Sequence, residues 1–473
     1  MSALKAYLLV PPSQDRRVQR RHPVRGLLPP LGLLYIAAVL EEEGWDVRFV
    51  DAQLDGRDVQ SVIDDVAAWS PQLFGLTVLS PFAARAARIV NGVKDRAGDV
   101  FTVMGGAHPT VAPHDTLRAC PGLDAVVVGE GEDAIRSLAA HLAGGPRPEP
   151  HTGVLFQGDD SAVTVAQIHE LDNLPMPAWH HLDFSGYAPE PYGNRRLPSI
   201  NLVASRGCLW SRCTYCIRAG GLLREYRQQS VRRTMEIIGR LVEQHGVREL
   251  VFYDEDLFGS PRWLHEFCAA LDASGFDLTW TCRARADSID EDLLAQAKKI
   301  GLFSVFIGFE SGVQALLDRI HKGITLDQSR RAAGLCAAQG VETVGSFILA
   351  LPGETPAEGR RTISFAASLG CTYAAFQPAY PAEGTPFYKD CLAAGWISVT
   401  RYDDRQRGAK FLPAVGYVPR AYGSSDAVRR MIRRAYRGFY LRPAYFRDRL
   451  LDIGSLADVK RMVSGLAFIL GLI

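Results

Sequence analysis

Ser205-Arg206-Gly207-Cys208-Leu209-Trp210-Ser211-Arg212-Cys213-Thr214-Tyr215-Cys216 gathers three cysteines within nine residues, directly after the apolar run 200–204. Three thiolates on one short loop can wrap a corner of an iron–sulfur cubane and ligate three of its irons. A structural zinc site takes four N or S ligands and commonly pairs two Cys-x-x-Cys knuckles. Here a single such knuckle occurs, Cys213 to Cys216, with no second Cys or His pair beside it. A redox dithiol accounts for two cysteines and leaves the third unexplained. The reading is a [4Fe–4S] cluster on Cys208, Cys213 and Cys216. The six other cysteines (Cys120, Cys268, Cys282, Cys336, Cys371, Cys391) are scattered singly among apolar neighbours and read as buried free thiols in a reducing compartment.

Outward from this loop, residues 196–400 alternate apolar strands with helical patterns. Strands are predicted at 200–204, 249–253, 278–283, 304–309, 343–349 and 373–377. Helices are predicted near 229–245, 261–273, 290–299, 313–320 with 326–339, 356–369 and 385–394. Six βα units in about 200 residues predict an open six-unit βα barrel, whose chemistry would sit at the carboxyl ends of its strands.

Residues 1–143 show the same alternation, with strands at 6–10, 46–50, 73–77, 101–104 and 125–128 and helices at 31–43, 59–69, 83–97 and near 114–119. This predicts a doubly wound, Rossmann-like α/β domain, with ligands at the carboxyl edge of its sheet. Residues 144–195 begin with a Gly- and Pro-rich stretch and read as a linker. It carries a small hairpin in which 154–156 and 163–165 flank Gly158-Asp159-Asp160. Residues 401–473 form a helical, basic C-terminal region.

The 473 residues are 47% hydrophobic and 22% charged, a globular composition. A formal net charge of +1 gives no global argument for nucleic acid. No secretory signal is read at the N-terminus, and no apolar run reaches the length of a membrane span; the expectation is a cytoplasmic protein.

The cysteine loop resembles the signature of the radical S-adenosylmethionine superfamily, with Tyr215 at the aromatic position that family members set against the adenine. The family usually has three residues between its first two cysteines, and this chain has four, Leu209 to Arg212. The resemblance continues along the barrel. Phe252-Tyr253-Asp254-Glu255-Asp256 stands where the family contacts the ammonium of S-adenosyl-L-methionine, which implies Asp254 and Glu255 as acceptors. Arg283 would face its carboxylate, Glu310 and Ser311 its ribose, and Ala350 its adenine, with Gln377 at the end of the sixth strand also among the residues that bind it. No catalytic side chain is assigned.

In the N-terminal domain, Gly75-Leu76-Thr77-Val78-Leu79-Ser80, Met104-Gly105-Gly106-Ala107-His108 and Val128-Gly129-Glu130 end successive strands. They resemble the cobalamin-binding domain of the cobalamin-dependent radical S-adenosylmethionine enzymes. That implies cobalamin near Thr77, Ser80, Gly105, Gly106, His108, Gly129 and Glu130. The Asp-x-His-x-x-Gly segment of domains that ligate cobalt through histidine is absent. His108 is therefore not assigned as an axial ligand; Val78 or Leu79 would face the lower side.

The resemblance implies C-methylation of an unactivated carbon in a natural-product or lipid-like small molecule, through a 5′-deoxyadenosyl radical and methylcobalamin. An external flavodoxin- or ferredoxin-type reductant would supply electrons. The alternative outcome is radical cyclisation, oxidation or rearrangement without methyl transfer. A remoter one is RNA modification, which such enzymes support with extra N-terminal cluster cysteines that this chain lacks. Arg429, Arg430, Arg433, Arg434 and Arg437 recur at helical spacing around Met431, Ile432, Tyr436 and Phe439. They read as a solvated helix face, with peripheral docking on an anionic membrane through the apolar 468–473 as the competing reading.

Replacing any one of Cys208, Cys213 and Cys216 by Ala should abolish both the visible absorbance of an anaerobically reconstituted cluster and the formation of 5′-deoxyadenosine. Retention of both in any of the three variants contradicts the assignment.

Overall fold

The structure is a computed structural model that describes residues 3–12, 27–187, 195–217, 225–397 and 416–451. The described residues divide into two compact units, one up to Tyr187 and one from Arg195 onward.

The first unit is a six-stranded sheet in the order β2-β1-β3-β4-β5-β6. Its strands are β1 (Lys5–Val10), β2 (Asp46–Asp51), β3 (Leu73–Thr77), β4 (Phe101–Gly105), β5 (Ala125–Val127) and β6 (Val154–Phe156). The first five are parallel. Near-continuous apolar strands are what a parallel sheet covered on both faces requires, and β1 is buried along all but its first residue. Two apolar clusters form the core. One gathers Tyr7, Phe74, Val90 and Met104; the other gathers Leu8, Leu40, Val103 and Leu138. The chain leaves β1 first to one side and then to the other, so the strand order reverses between β1 and β3. In open α/β sheets that reversal marks the ligand crevice.

The hairpin expected at 154–165 does not form. Val154–Phe156 pairs antiparallel with β5 and closes the edge of the main sheet. Ala166 instead forms a parallel bridge with Gly129. An open β5 edge would leave backbone groups unpaired beside buried residues, and pairing it satisfies more of them than an isolated two-stranded ribbon would. The described residues 144–187 thus join the first unit and do not form a separate linker.

The second unit is a six-stranded all-parallel sheet in the order β14-β13-β12-β11-β10-β7. Its strands are β7 (Ser199–Leu202), β10 (Glu249–Phe252), β11 (Thr279–Ala284), β12 (Leu302–Glu310), β13 (Glu342–Leu349) and β14 (Tyr373–Pro378). A helix follows each barrel strand, and strand order follows chain order, as in an open βα barrel. Between the first two barrel strands, the short β8 (Ser205–Arg206) and β9 (Arg227–Gln228) pair antiparallel and frame the cysteine loop. The helix starts are well specified: Thr325 and Thr355 each form a reciprocal capping box, with Gln328 and Glu358 respectively.

The basic helix Ser425–Tyr440 packs against β14. Val428, Met431, Ile432, Ala435, Phe439 and Tyr440 are buried, and the Tyr440 hydroxyl donates to the Ala374 carbonyl. Its apolar side is therefore used inside the fold. The apolar segment 468–473 lies outside the described residues. No described helix is long and apolar enough to cross a membrane.

Gly129 has φ near +98°, and a β-carbon there would lie 2.4 Å from the Ala166 carbonyl oxygen. Gly129→Ala should destabilise the first unit by about 3 kcal/mol. Gly32→Ala, in a helix and with open space around it, should be neutral or stabilising. Denaturant unfolding of the two variants checks this; equal midpoints would contradict it.

Candidate functional site

The cysteine loop leaves β7 and is stitched to several barrel elements. The Thr214 N–H donates to the Ile320 carbonyl, and the Phe387 N–H donates to the Thr214 carbonyl, each at 3.0 Å. Trp210 Nε1 donates to the His321 carbonyl at 2.7 Å. Its ring lies so close to Gly323 that a β-carbon there would meet it at 2.1 Å. Within the loop, the Cys216 N–H donates to the Cys213 carbonyl, and the Ser211 hydroxyl bonds the Cys208 carbonyl. All nine cysteines are free. Cys213 is buried, while Cys208 and Cys216 are partly exposed.

The donor set discriminates between metals. Among the described residues, the only three-ligand group whose donor atoms all lie within 4.8 Å of one another is Glu41, His180 and His181, and not the three thiols. One tetrahedral zinc would hold thiolates about 3.8 Å apart. A cubane spreads its cysteine sulfurs over separate irons. Three thiols that do not gather closely enough for one tetrahedral metal, with no fourth Cys or His grouped with them among the described residues, fit the cubane.

Glu310, at the end of β12, is the hinge of the site. Its backbone is left-handed, φ near +62°, at a register shift between β12 and β13. Its Oε1 accepts from the Tyr215 hydroxyl at 2.9 Å and from Lys322 Nζ at 2.8 Å. Both Glu310 and Lys322 are buried. Burial works to lower the Lys322 pKa, but the charges of Glu310 and Cys213 outweigh it and leave it raised. Burial, followed by the Glu310 charge, pushes the Tyr215 phenol well above its usual value. A β-carbon on Gly308 would sit 2.4 Å from Glu310 Oε1, so only glycine leaves room for this pair.

The remaining residues assigned to S-adenosyl-L-methionine divide into open and enclosed. Asp254 is fully enclosed; it accepts from the Ala204 N–H at 3.1 Å and the Ser205 hydroxyl at 2.5 Å. Burial raises its pKa to about 6. It pins the β7 end and does not face an ammonium group. Glu255 is exposed. Asp256 accepts from the Arg285 N–H and the Ser288 hydroxyl. Ser311 is buried; its hydroxyl bonds Thr362 and accepts from the Val313 N–H, so it is not presented to a ribose. Arg283 stacks over Tyr253 at 4.0 Å and Phe306 at 5.6 Å. Ala350 has φ near +61°, and its N–H donates to Glu354 Oε1 at 2.9 Å. Gln377 is exposed at the end of β14.

Three contributors were not singled out by sequence: Lys322, Arg285 and Glu354. Arg285 stacks on Trp210 at 5.1 Å and donates to the Lys322 carbonyl at 3.0 Å. Nothing in its sequence spacing marks Lys322 as a partner of Glu310; only the turn after the helix Gln314–Arg319 brings it there. Leu209 in the cysteine loop, and Tyr253 and Tyr380 just beyond barrel strands, are exposed. Apolar side chains left open at strand ends suit an organic substrate.

In the first unit, all seven residues assigned to cobalamin lie at or beyond the carboxyl ends of β3, β4 and β5. Ser80 Oγ and His108 Nδ1 are 3.0 Å apart, and His108 is buried. A β-carbon on Gly106 would meet Thr77 Oγ1 at 2.8 Å. The Gly129 N–H donates to Thr110, the Glu130 N–H donates to the Ala166 carbonyl, and Glu130 Oε2 accepts from the Ile168 N–H. Gly106 and Gly129 thus stand where the chain packs closely on itself, which by itself requires glycine. Gly105 is partly exposed. Val78 is core, whereas Leu79 is half exposed at this edge.

Comparison with known proteins follows these two units. A B12 binding domain model matches residues 21–139, and a Radical SAM superfamily model matches residues 202–366. The chain is 28% identical over 477 residues to an uncharacterized methyltransferase of Pyrococcus horikoshii, covering 98% of each. It is 30% identical over 342 residues to an anaerobic magnesium-protoporphyrin IX monomethyl ester cyclase of Rubrivivax gelatinosus; the match spans 70% of this chain and 60% of that protein. The fold is similar to the radical S-adenosylmethionine methyltransferase TsrM from Kitasatospora setae, solved with cobalamin and a [4Fe–4S] cluster. The TM-score is 0.66 at 20% identity, over 92% of this chain and 85% of that one.

Glu354 is buried, accepts from the Ala350 and Leu351 N–H groups and from the Tyr422 hydroxyl at 2.6 Å, and has its pKa raised by burial to about 7. A carboxyl whose folded pKa is raised contributes stability that is complete below about pH 4.5 and lost as pH rises through about 7. Melting temperature should therefore fall between pH 5 and pH 8, and Glu354→Gln should flatten that fall. An unchanged slope in the variant would contradict the assignment.

Proposed function

Because the chain belongs to the cobalamin-dependent radical S-adenosylmethionine enzymes, we propose that it transfers a methyl group to an unactivated carbon of a natural-product or lipid-like small molecule. The observation that carries this reading is the union in one chain of a B12 binding match, a Radical SAM match and a near full-length likeness to a protein described as a methyltransferase. When bound, the cluster supplies the electron that cleaves S-adenosyl-L-methionine, and cobalamin supplies the methyl group to carbon.

The chain's own residues do the holding. Cys208, Cys213 and Cys216 ligate three irons; burial pushes the Cys213 thiol up, and the charges of Lys322 and Arg285 offset part of that rise. Glu310 fixes the Tyr215 ring and retains acceptor capacity for a ribose hydroxyl. Glu255, exposed at the end of the second barrel strand, is the acceptor for the ammonium group. Arg283, braced between Tyr253 and Phe306, presents a guanidinium suited to a carboxylate. The backbone of Ala350, held by Glu354, and the exposed Gln377 are left for the adenine. Thr77, Leu79 and Ser80 form the edge at which cobalamin would lie, with His108 committed to Ser80.

A flavodoxin- or ferredoxin-type reductant supplies the electrons. Contact with an anionic membrane would rest on charge alone, through the exposed Arg430, Arg433 and Arg434, since the apolar side of that helix is packed away. The likeness to the cyclase favours a second reading, radical ring formation or oxidation without methyl transfer.

The two readings differ in by-products. With cluster, cobalamin and a low-potential reductant in place, methyl transfer forms S-adenosylhomocysteine and 5′-deoxyadenosine in equal amounts for each methylated product. Full turnover with 5′-deoxyadenosine and no S-adenosylhomocysteine would overturn it in favour of the second reading.

A further inference from the structure

A second set of ligand atoms lies in the first unit, on none of the residues assigned above. Glu41 occupies the last turn of the helix Leu31–Glu42. His180 and His181 lie on the single turn Trp179–His181. Consecutive side chains on such a turn normally diverge, since each residue rotates the direction by about 120°. Here both imidazoles converge: His180 Nε2 is 2.9 Å and His181 Nε2 is 2.7 Å from the same Glu41 Oε1. The rings are 4.3 Å apart between centroids. The three ligand atoms all lie within 4.8 Å of one another.

The surroundings hold this arrangement in place. Ala178 and Trp179 are buried, and the Ala178 N–H donates to the Leu34 carbonyl on the helix that carries Glu41. The His181 ring stacks on Phe49. The neighbouring carboxylates Glu42 and Glu43 are both paired with Arg136, so Glu41 is the carboxylate that serves the two histidines. His180 is exposed, which leaves a side open to water.

We propose that Glu41, His180 and His181 form a divalent-metal site for zinc, which fastens the segment ending the first unit to the helix Leu31–Glu42. Two imidazoles and a carboxylate are borderline ligands that suit zinc; calcium and magnesium take oxygen ligands. A tetrahedral zinc with bonds near 2.1 Å needs ligand atoms about 3.4 Å apart. From 2.9 and 2.7 Å, the imidazoles need withdraw from Glu41 by only about 0.5 and 0.7 Å, leaving the fourth position to water. The site does not depend on the proposed reaction.

The test is Zn2+ added to the full chain with its iron–sulfur cluster reconstituted, read by chelator competition and by X-ray absorption at the zinc edge. The expected result is one tight equivalent, a first shell of N and O only, and outer-shell scattering from two imidazoles. His181→Ala and Glu41→Gln should each weaken binding roughly tenfold or more, with iron content and circular dichroism unchanged. A sulfur shell would move the zinc to the cysteines and overturn the proposal. So would unchanged affinity in both variants, or no zinc bound by the wild-type chain.

Discussion

A single carboxylate oxygen holds the second unit's site together. Glu310 Oε1 receives the phenol of Tyr215 from the cysteine loop and the ammonium of Lys322 from the turn after the next helix. Burying a charge is costly unless it is paired and hydrogen-bonded, and this pair is nearly closed to solvent. The arrangement also bears a left-handed backbone at a non-glycine residue, a conformation that persists only where its surroundings over-determine it. Gly308 and Gly323 supply the room, one beside the carboxylate and one beneath the Trp210 ring. The cysteine loop is thereby bound to the far side of the barrel from its own strand. Three thiols on a short loop need such a fixed base if they are to bind a cofactor without first paying for order.

Much of this architecture was legible in the residues. The barrel strands alternate with helices at a spacing that allows little else, and each observed strand lies within two residues of its expected position. The cysteine loop was readable because three thiols in nine residues have few physical explanations. Glu310 was readable as a strand-end acid, and the six scattered cysteines proved free and buried.

What the sequence could not convey was which polar groups the fold consumes. Asp254, Glu255 and Asp256 look alike in a row, yet two are enclosed by backbone and hydroxyl donors and one is open. Ser311 sits beside Glu310 but turns to Thr362. Gly106 and Gly129 suggested space for a ligand, and both also sit where the chain passes too close to itself to admit a β-carbon. The segment 154–156 reads as a hairpin arm from the Gly158-Asp159-Asp160 turn that follows it, and its partner is the distant β5 and not its neighbour in sequence. In each case, the deciding partner is remote in the chain and has no periodic or local signal.

The central claim is that the cysteine loop binds a cubane with one iron left for S-adenosyl-L-methionine. Mössbauer spectroscopy of the chain reconstituted with 57Fe, before and after S-adenosyl-L-methionine is added, tests it most directly. The account predicts that one iron of the four changes its isomer shift when S-adenosyl-L-methionine binds while three remain as they were. Four equivalent irons unaffected by S-adenosyl-L-methionine, or a chain that takes up zinc at these cysteines and no iron, would contradict it.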